Sequence, residues 1–191
     1  MRELECSKED LLAKMQEMLD VMEKSVEFGL TGIKSHSGLT GGDSKKLAQA
    51  VAGDSYISLL GEKATDAVIY ATAVGECNAA MGRIVAAPTA GASGVLPGVF
   101  FSLKKHCQLD AEALQKGMVV AGSIGLVIAE RASLAGATGG CQAECGSAAA
   151  MAAGAAVSML GGTPEQVGTA VAIVFKNVLG LVCDPVAGLV E

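Results

Sequence analysis

Three thiols and a few hydroxyls carry most of the reactive chemistry in this chain. Cys141 follows the glycine pair of "GATGGCQAECG" and opens an alanine-rich stretch. A thiol at a helix N-terminus meets unpaired N–H groups and the positive end of the helix dipole, which favour thiolate, the form that ligates metal. Spacing alone leaves open whether Cys141 is a ligand or a buried structural thiol. Cys145 lies one turn further along the same face. The pair could share a metal, or only one of them could be a ligand. Glu144, between them, suits the first turn of a helix by its charge. Cys183, in "VCDPVAG", is expected at a helix end, where Pro185 stops the helix. A helix end and a helix start, each with a cysteine, make half of a plausible cluster site.

Two glycine-rich loops add hydroxyls and open backbone. "SGLTGGD" offers Thr40 and Asp43, and "PTAGASG" offers Thr89 and Ser93. Such loops can cradle a carboxylate or phosphate by backbone N–H groups, although ordinary turn chemistry explains them as well. Neither has the Gly-Lys-Ser/Thr ending of a phosphate loop, and neither follows a strand. Two histidines are too few for a typical histidine zinc site. His36 reads as a solvated loop residue and His106, beside two lysines, as a surface residue. Cys6, Cys77 and Cys107 read as packing or surface thiols.

These residues must be positioned by helices. Ser7 with Glu9 and Asp10 marks a helix start. The apolar run Leu11, Leu12, Met15, Met18, Leu19, Met22, Val26 then follows a 3.6-residue period and closes at Gly29 or Gly32. Further helices are expected over 45–52 (capped by Asp43 or Ser44), from about Leu60 to Arg83, and from Pro97 to Lys105. Another follows the cap Asp110, and one runs from about Gln142 to Leu160. The last starts at Thr163-Pro164 and runs to about Val182. Residues 132–140 read as loop. No strand alternation is present, so the expectation is an all-α fold of six or seven helices in a single domain over 1–191. Only 3% of the 191 residues are aromatic while 51% are hydrophobic. The core is therefore expected from Ala, Val, Leu, Ile, Met and Gly, with closely approaching helices.

A net charge of −6 argues against a nucleic-acid partner, which needs a basic face. The charged N-terminal stretch carries no secretory signal, and six cysteines in a core-rich chain read as reduced thiols of a cytoplasmic protein. Mean hydropathy is +0.45, yet the strongest apolar run, 117–129, is shorter than the ~20 residues of a membrane span. No membrane association is expected. The final "VAGLVE" stops amid an apolar turn, so the chain is expected to be a piece of a longer polypeptide, truncated at both ends.

"SGLTGGD" (37–43), "NAAMG" (78–82), "PTAGASGVLPG" (88–98), "GATGGCQAE" (136–144), "GGTPEQ" (161–166) and "KNVLGLVCDPVAGLVE" (176–191) occur in this order. Together they resemble the α chain of bacterial iron–sulfur-dependent L-serine dehydratase. The resemblance implies conversion of L-serine to pyruvate and ammonia. It also implies a [4Fe–4S] cluster held by three cysteines, with one iron open to polarise the serine β-hydroxyl. Cys141 and Cys183 match two ligands; the third would lie beyond Glu191. Cys145 matches no ligand position and becomes a packing residue, and His36 takes no role. The resemblance implies that a Ser/His-containing motif on the family's β chain or β domain holds substrate and supplies the base; no "SSSHT"-like stretch occurs here. Thr40, Asp43, Thr89 and Ser93 become candidates for the substrate carboxylate. The oligomeric state is expected to exceed the monomer. The chain alone is expected to hold no intact cluster and to turn over no serine. Pyridoxal phosphate chemistry is disfavoured, because it needs an α/β phosphate cup. The alternative from another class is a helical assembly subunit whose cysteines are idle.

Overall fold

The computed structural model describes residues 6–53 and 59–180. Cys183 and the Asp184-Pro185 turn therefore lie outside the described residues. The described residues form eight helices and no strand: α1 (Lys8–Leu30), α2 (Asp43–Val51), α3 (Gly61–Ala79), α4 (Val95–Cys107), α5 (Ala111–Arg131), α6 (Gly136–Gly139), α7 (Cys141–Met159) and α8 (Pro164–Val178). The all-α expectation holds. The helix beyond the expected six or seven is α6, a single turn inside the segment read as loop, closed by Gly139 N–H to the Ala135 carbonyl at 2.9 Å.

Helix starts follow local chemistry. The Ser7 hydroxyl accepts from the Asp10 N–H and the Asp10 carboxylate accepts from the Ser7 N–H, both at 3.1 Å. Thr163 and Gln166 make the same reciprocal pair, with Pro164 first in α8. Asp110 caps α5 by accepting from the Ala113 N–H at 2.8 Å. Helix α3 ends at Ala79 rather than Arg83, because Met81 turns to a left-handed φ of 61° and breaks the hydrogen-bond ladder.

Helix α7 lies at the centre, packed against α4, α5 and α8. Ala148, Ala150, Ala152 and Ala155 are buried on several of its sides, so its alanines serve neighbours all round. The largest fully buried side chain is Phe100, and Phe101 is buried beside it. Aromatic residues thus contribute to a core expected from aliphatic ones. Burying one such ring stabilises by about 1.5–3 kcal/mol. Elsewhere helices nearly touch: a Cβ at Gly29 of α1 would overlap the Ala73 carbonyl of α3. Helix α5 is long and apolar enough to cross a membrane by length and composition. Its stripe of Leu114, Gly117, Met118, Ala121, Gly125 and Ile128 is buried, and it packs on α1 and α7.

Helices α7 and α8 form a hairpin with a short turn over 160–163. Val171 of α8 lies by Gly154, and Val178 lies by Gly146, where an added Cβ would come within 3.2 Å of its side chain. The hairpin therefore returns the end of α8 to the start of α7, where Cys141 sits.

Candidate functional site

The last turn of α3 organises two loops. Glu76 is only 3% exposed, so its polar carboxyl group requires hydrogen-bond partners. It finds them in α2. Its carboxylate accepts from the Asp43 N–H at 2.6 Å, the Ser44 N–H at 3.2 Å and the Ser44 hydroxyl at 2.6 Å. The N-cap of α2 is Gly42, whose φ of 87° suits glycine and whose lack of a side chain leaves the helix end uncapped. Glu76 provides that cap from another helix. Two residues on, the Asn78 side-chain amide donates to the Ala90 carbonyl at 3.2 Å, which ties down the 88–94 loop.

The expected substrate residues divide between these loops. In the first, the Thr40 carbonyl accepts from the Ser35 N–H at 2.8 Å, and a bridge joins Lys34 to Gly41. The Thr40 residue is exposed. Asp43 is also exposed, and its carboxylate pairs with Lys46 at 2.9 Å. In the second loop the hydroxyls of Thr89 and Ser93 are both buried without a hydrogen-bond partner. An unpaired buried hydroxyl costs about 1–3 kcal/mol. Two within five residues mark a loop with donor capacity to spare for a ligand.

The start of α7 meets this second loop through Glu144. Its carboxylate oxygens lie so close to Gly91 and Gly136 that a Cβ at either glycine would overlap them. Glu144 thus sits between the 88–94 loop and α6, three residues after Cys141. Cys141 is the first residue of α7, after Gly140 with a φ of 76° and no side-chain cap. It is half-buried, and the five described cysteines are reduced. A 490 Å³ groove beside it is lined by Val127, Arg131, Gln142, Ser147 and Phe175 among others.

Several sequence expectations need correction. Cys145 is exposed, so it is no packing residue: the side of α7 one turn past Cys141 faces out of the bundle there. His106 is not a surface residue. Its side chain is 15% exposed and its Nε2 lies 2.7 Å from Asp66, because the last turn of α4 packs on α3. Burial opposes the charge of Asp66, but hydrogen bonds from Lys105 and His106 outweigh it and hold the carboxyl below its ordinary range. His36 is exposed, as expected.

Among the described residues no group of three His, Cys, Asp or Glu side chains converges to hold a metal. One thiol, Cys141, stands in a setting suited to a ligand. Glu76 and Glu144 escaped the sequence reading. The available signal for Glu76 was a lone carboxylate within the otherwise apolar "YATAVGECNAA"; for Glu144 the helix-dipole explanation hid its tertiary role.

The family model for the serine dehydratase alpha chain matches residues 1–191. The chain belongs to that family. Among its relatives, the probable L-serine dehydratase alpha chain of Bacillus subtilis (strain 168) is 52% identical over 187 residues, covering 98% of this chain and 62% of the relative. The L-serine dehydratase alpha chain of Peptoniphilus asaccharolyticus is 43% identical, covering 97% of this chain and 63% of the relative. L-serine dehydratase 2 of Escherichia coli (strain K12) is 36% identical, covering 97% of this chain and 42% of the relative. The chain therefore spans less than two thirds of each of these relatives. The blocks 37–43, 78–82, 88–98 and 136–144 of the family resemblance are the segments gathered around the end of α3 and the start of α7.

Proposed function

We propose that this chain is the cluster-bearing part of an L-serine dehydratase, which eliminates water from L-serine to give pyruvate and ammonia. Family membership supports the reaction. The observation that carries the assignment of the site is the contact of Glu144, three residues after Cys141 in α7, with Gly91 of a loop whose Thr89 and Ser93 hydroxyls lack partners.

Cys141 fits a cluster ligand by its position. The open helix end beside it favours thiolate. Cys183 is the second proposed ligand. It follows Gly180 by three residues, a reach of at most about 11 Å. The α7–α8 hairpin brings the chain back to the Cys141 end, which supports their convergence. A third thiol would come from outside this sequence. When bound, a [4Fe–4S] cluster with an open iron supplies Lewis-acid polarisation of the β-hydroxyl, easing its departure.

The chain's own residues bind and orient. Thr89 and Ser93 donate hydrogen bonds to the substrate carboxylate. Asn78 holds their loop, and Glu76 fixes the 34–43 loop on the same helix end. Thr40 and Asp43 stand exposed on the loop that Glu76 anchors. Abstraction of the α-proton falls to a β part, the partner that completes the site. The enamine released on loss of water becomes the imine, which water hydrolyses to pyruvate and ammonia.

Anaerobic iron and sulfide reconstitution of the chain together with its β part tests the reading. The expected result is broad visible charge-transfer absorbance and pyruvate formation, both lost in Cys141→Ser and in Cys183→Ser with the helical circular dichroism unchanged. Full absorbance and turnover in Cys141→Ser would refute the assignment.

A further inference from the structure

We propose that Glu144 binds the substrate's ammonium group while the 88–94 loop binds its carboxylate, so that the site selects α-amino acids as zwitterions. This deepens the dehydratase reading and rests on it. Glu144 is half-buried, and no described residue gives it a hydrogen bond or an ion pair. An ammonium placed against it would give this carboxyl group the donor it lacks. The carboxylate lies directly against Gly91 and Gly136. Any larger residue at these two positions would displace its oxygens, so the glycines let the carboxyl group lie between the 88–94 loop and α6.

The complementary half of the cradle is close by. Gly91 is the midpoint of the loop, and Thr89 and Ser93 each stand two residues from it, at most about 7 Å along the chain. Ser93 is 1% exposed, and both hydroxyls lack partners. Hydroxyls donate to a carboxylate; a carboxylate accepts from an ammonium. One anion and two spare donors about the same glycine match the two charged ends of an α-amino acid. Asn78 holds the loop to the body through Ala90, next to that glycine, so the cradle is built on a rigid helix end.

The test compares two probes that differ at the ammonium: L-serine and 3-hydroxypropionate, which keeps the carboxylate and the hydroxyl. Binding to the chain together with its β part, without the cluster so that no turnover occurs, is measured by calorimetry for wild type, Glu144→Gln and Glu144→Asp, with melting curves to show folding. In Glu144→Gln, L-serine is expected to weaken about tenfold or more, the scale of one lost charge-assisted contact. 3-Hydroxypropionate is expected to change less than about twofold. Glu144→Asp retains the charge with a shorter reach; it should show a smaller loss, again confined to L-serine, and it serves if the Gln variant does not fold. If wild type binds L-serine and the variants lose both probes equally, or neither, the Glu144 assignment is overturned and the dehydratase reading stands. If wild type binds neither probe, the amino-acid cradle is overturned, while pyruvate formation by the reconstituted chain and β part decides the dehydratase reading separately.

Discussion

Removing the Glu76 carboxylate should undo the cap it gives α2 from across the bundle. In Glu76→Ala the donors left behind are the Asp43 N–H, the Ser44 N–H and the Ser44 hydroxyl. Asp43 is exposed, so water can reach its amide; Ser44 is fully buried, so its donors cannot be hydrated. The Ser44 hydroxyl has a fallback in the Gly29 carbonyl at 3.3 Å. One buried donor is thus stranded and a second is weakened. At about 1–3 kcal/mol for each unsatisfied buried group, the expected loss is about 3 kcal/mol. Glu76→Gln retains one acceptor oxygen and should lose about half as much. Urea unfolding followed by circular dichroism measures both. The two residues act as a unit, so Ser44→Ala should add little in the Glu76→Ala background, although it costs about 1 kcal/mol or more alone. Amide exchange at Asp43 and Ser44 should quicken in Glu76→Ala. A Glu76→Ala loss under about 0.5 kcal/mol, the level of a neutral surface change, would refute the reasoning. So would full additivity with Ser44→Ala.

Two further outcomes follow from packing and charge. Gly29→Ala should destabilise by about 3 kcal/mol in denaturant unfolding, because the new methyl meets the Ala73 carbonyl, a backbone atom that cannot turn aside. Helix propensity alone would give a gain of about 1 kcal/mol, so a stabilised variant would refute the close approach of α1 and α3. For Asp66 the folded-state carboxyl lies below its ordinary range, so its stabilisation is present above the unfolded value of about 3.9 and is lost as pH falls through the folded value. Asp66→Asn should be less stable than wild type near neutral pH and approach it as pH falls through the lowered folded value. A difference that persists unchanged in acid would show that the contacts of Asp66 with Lys105 and His106 do not depend on its charge.

The helices and the family were legible in the order of residues along the chain. Caps such as Ser7 with Asp10, Asp110 with Ala113, and Thr163 with Gln166 join residues three apart, and a reader of the chain sees both partners at once. The same holds for the apolar stripe of α1. The place of Cys141 at the start of α7 was legible too, whereas the exposure of Cys145 and the burial of His106 were not, since exposure depends on which other helix lies over a given face. Only the tertiary structure decided that Glu76 caps α2 from 33 residues away, and that Glu144 stands against Gly91 on a loop far back in the sequence. It also decided that the α7–α8 hairpin returns to the Cys141 end. Local hydrogen bonds need only a few neighbouring dihedral angles to be set. These distant contacts exist only once several helices have packed, because the loss of chain entropy in bringing the segments together is offset by the burial of the whole core rather than by any one of the contacts.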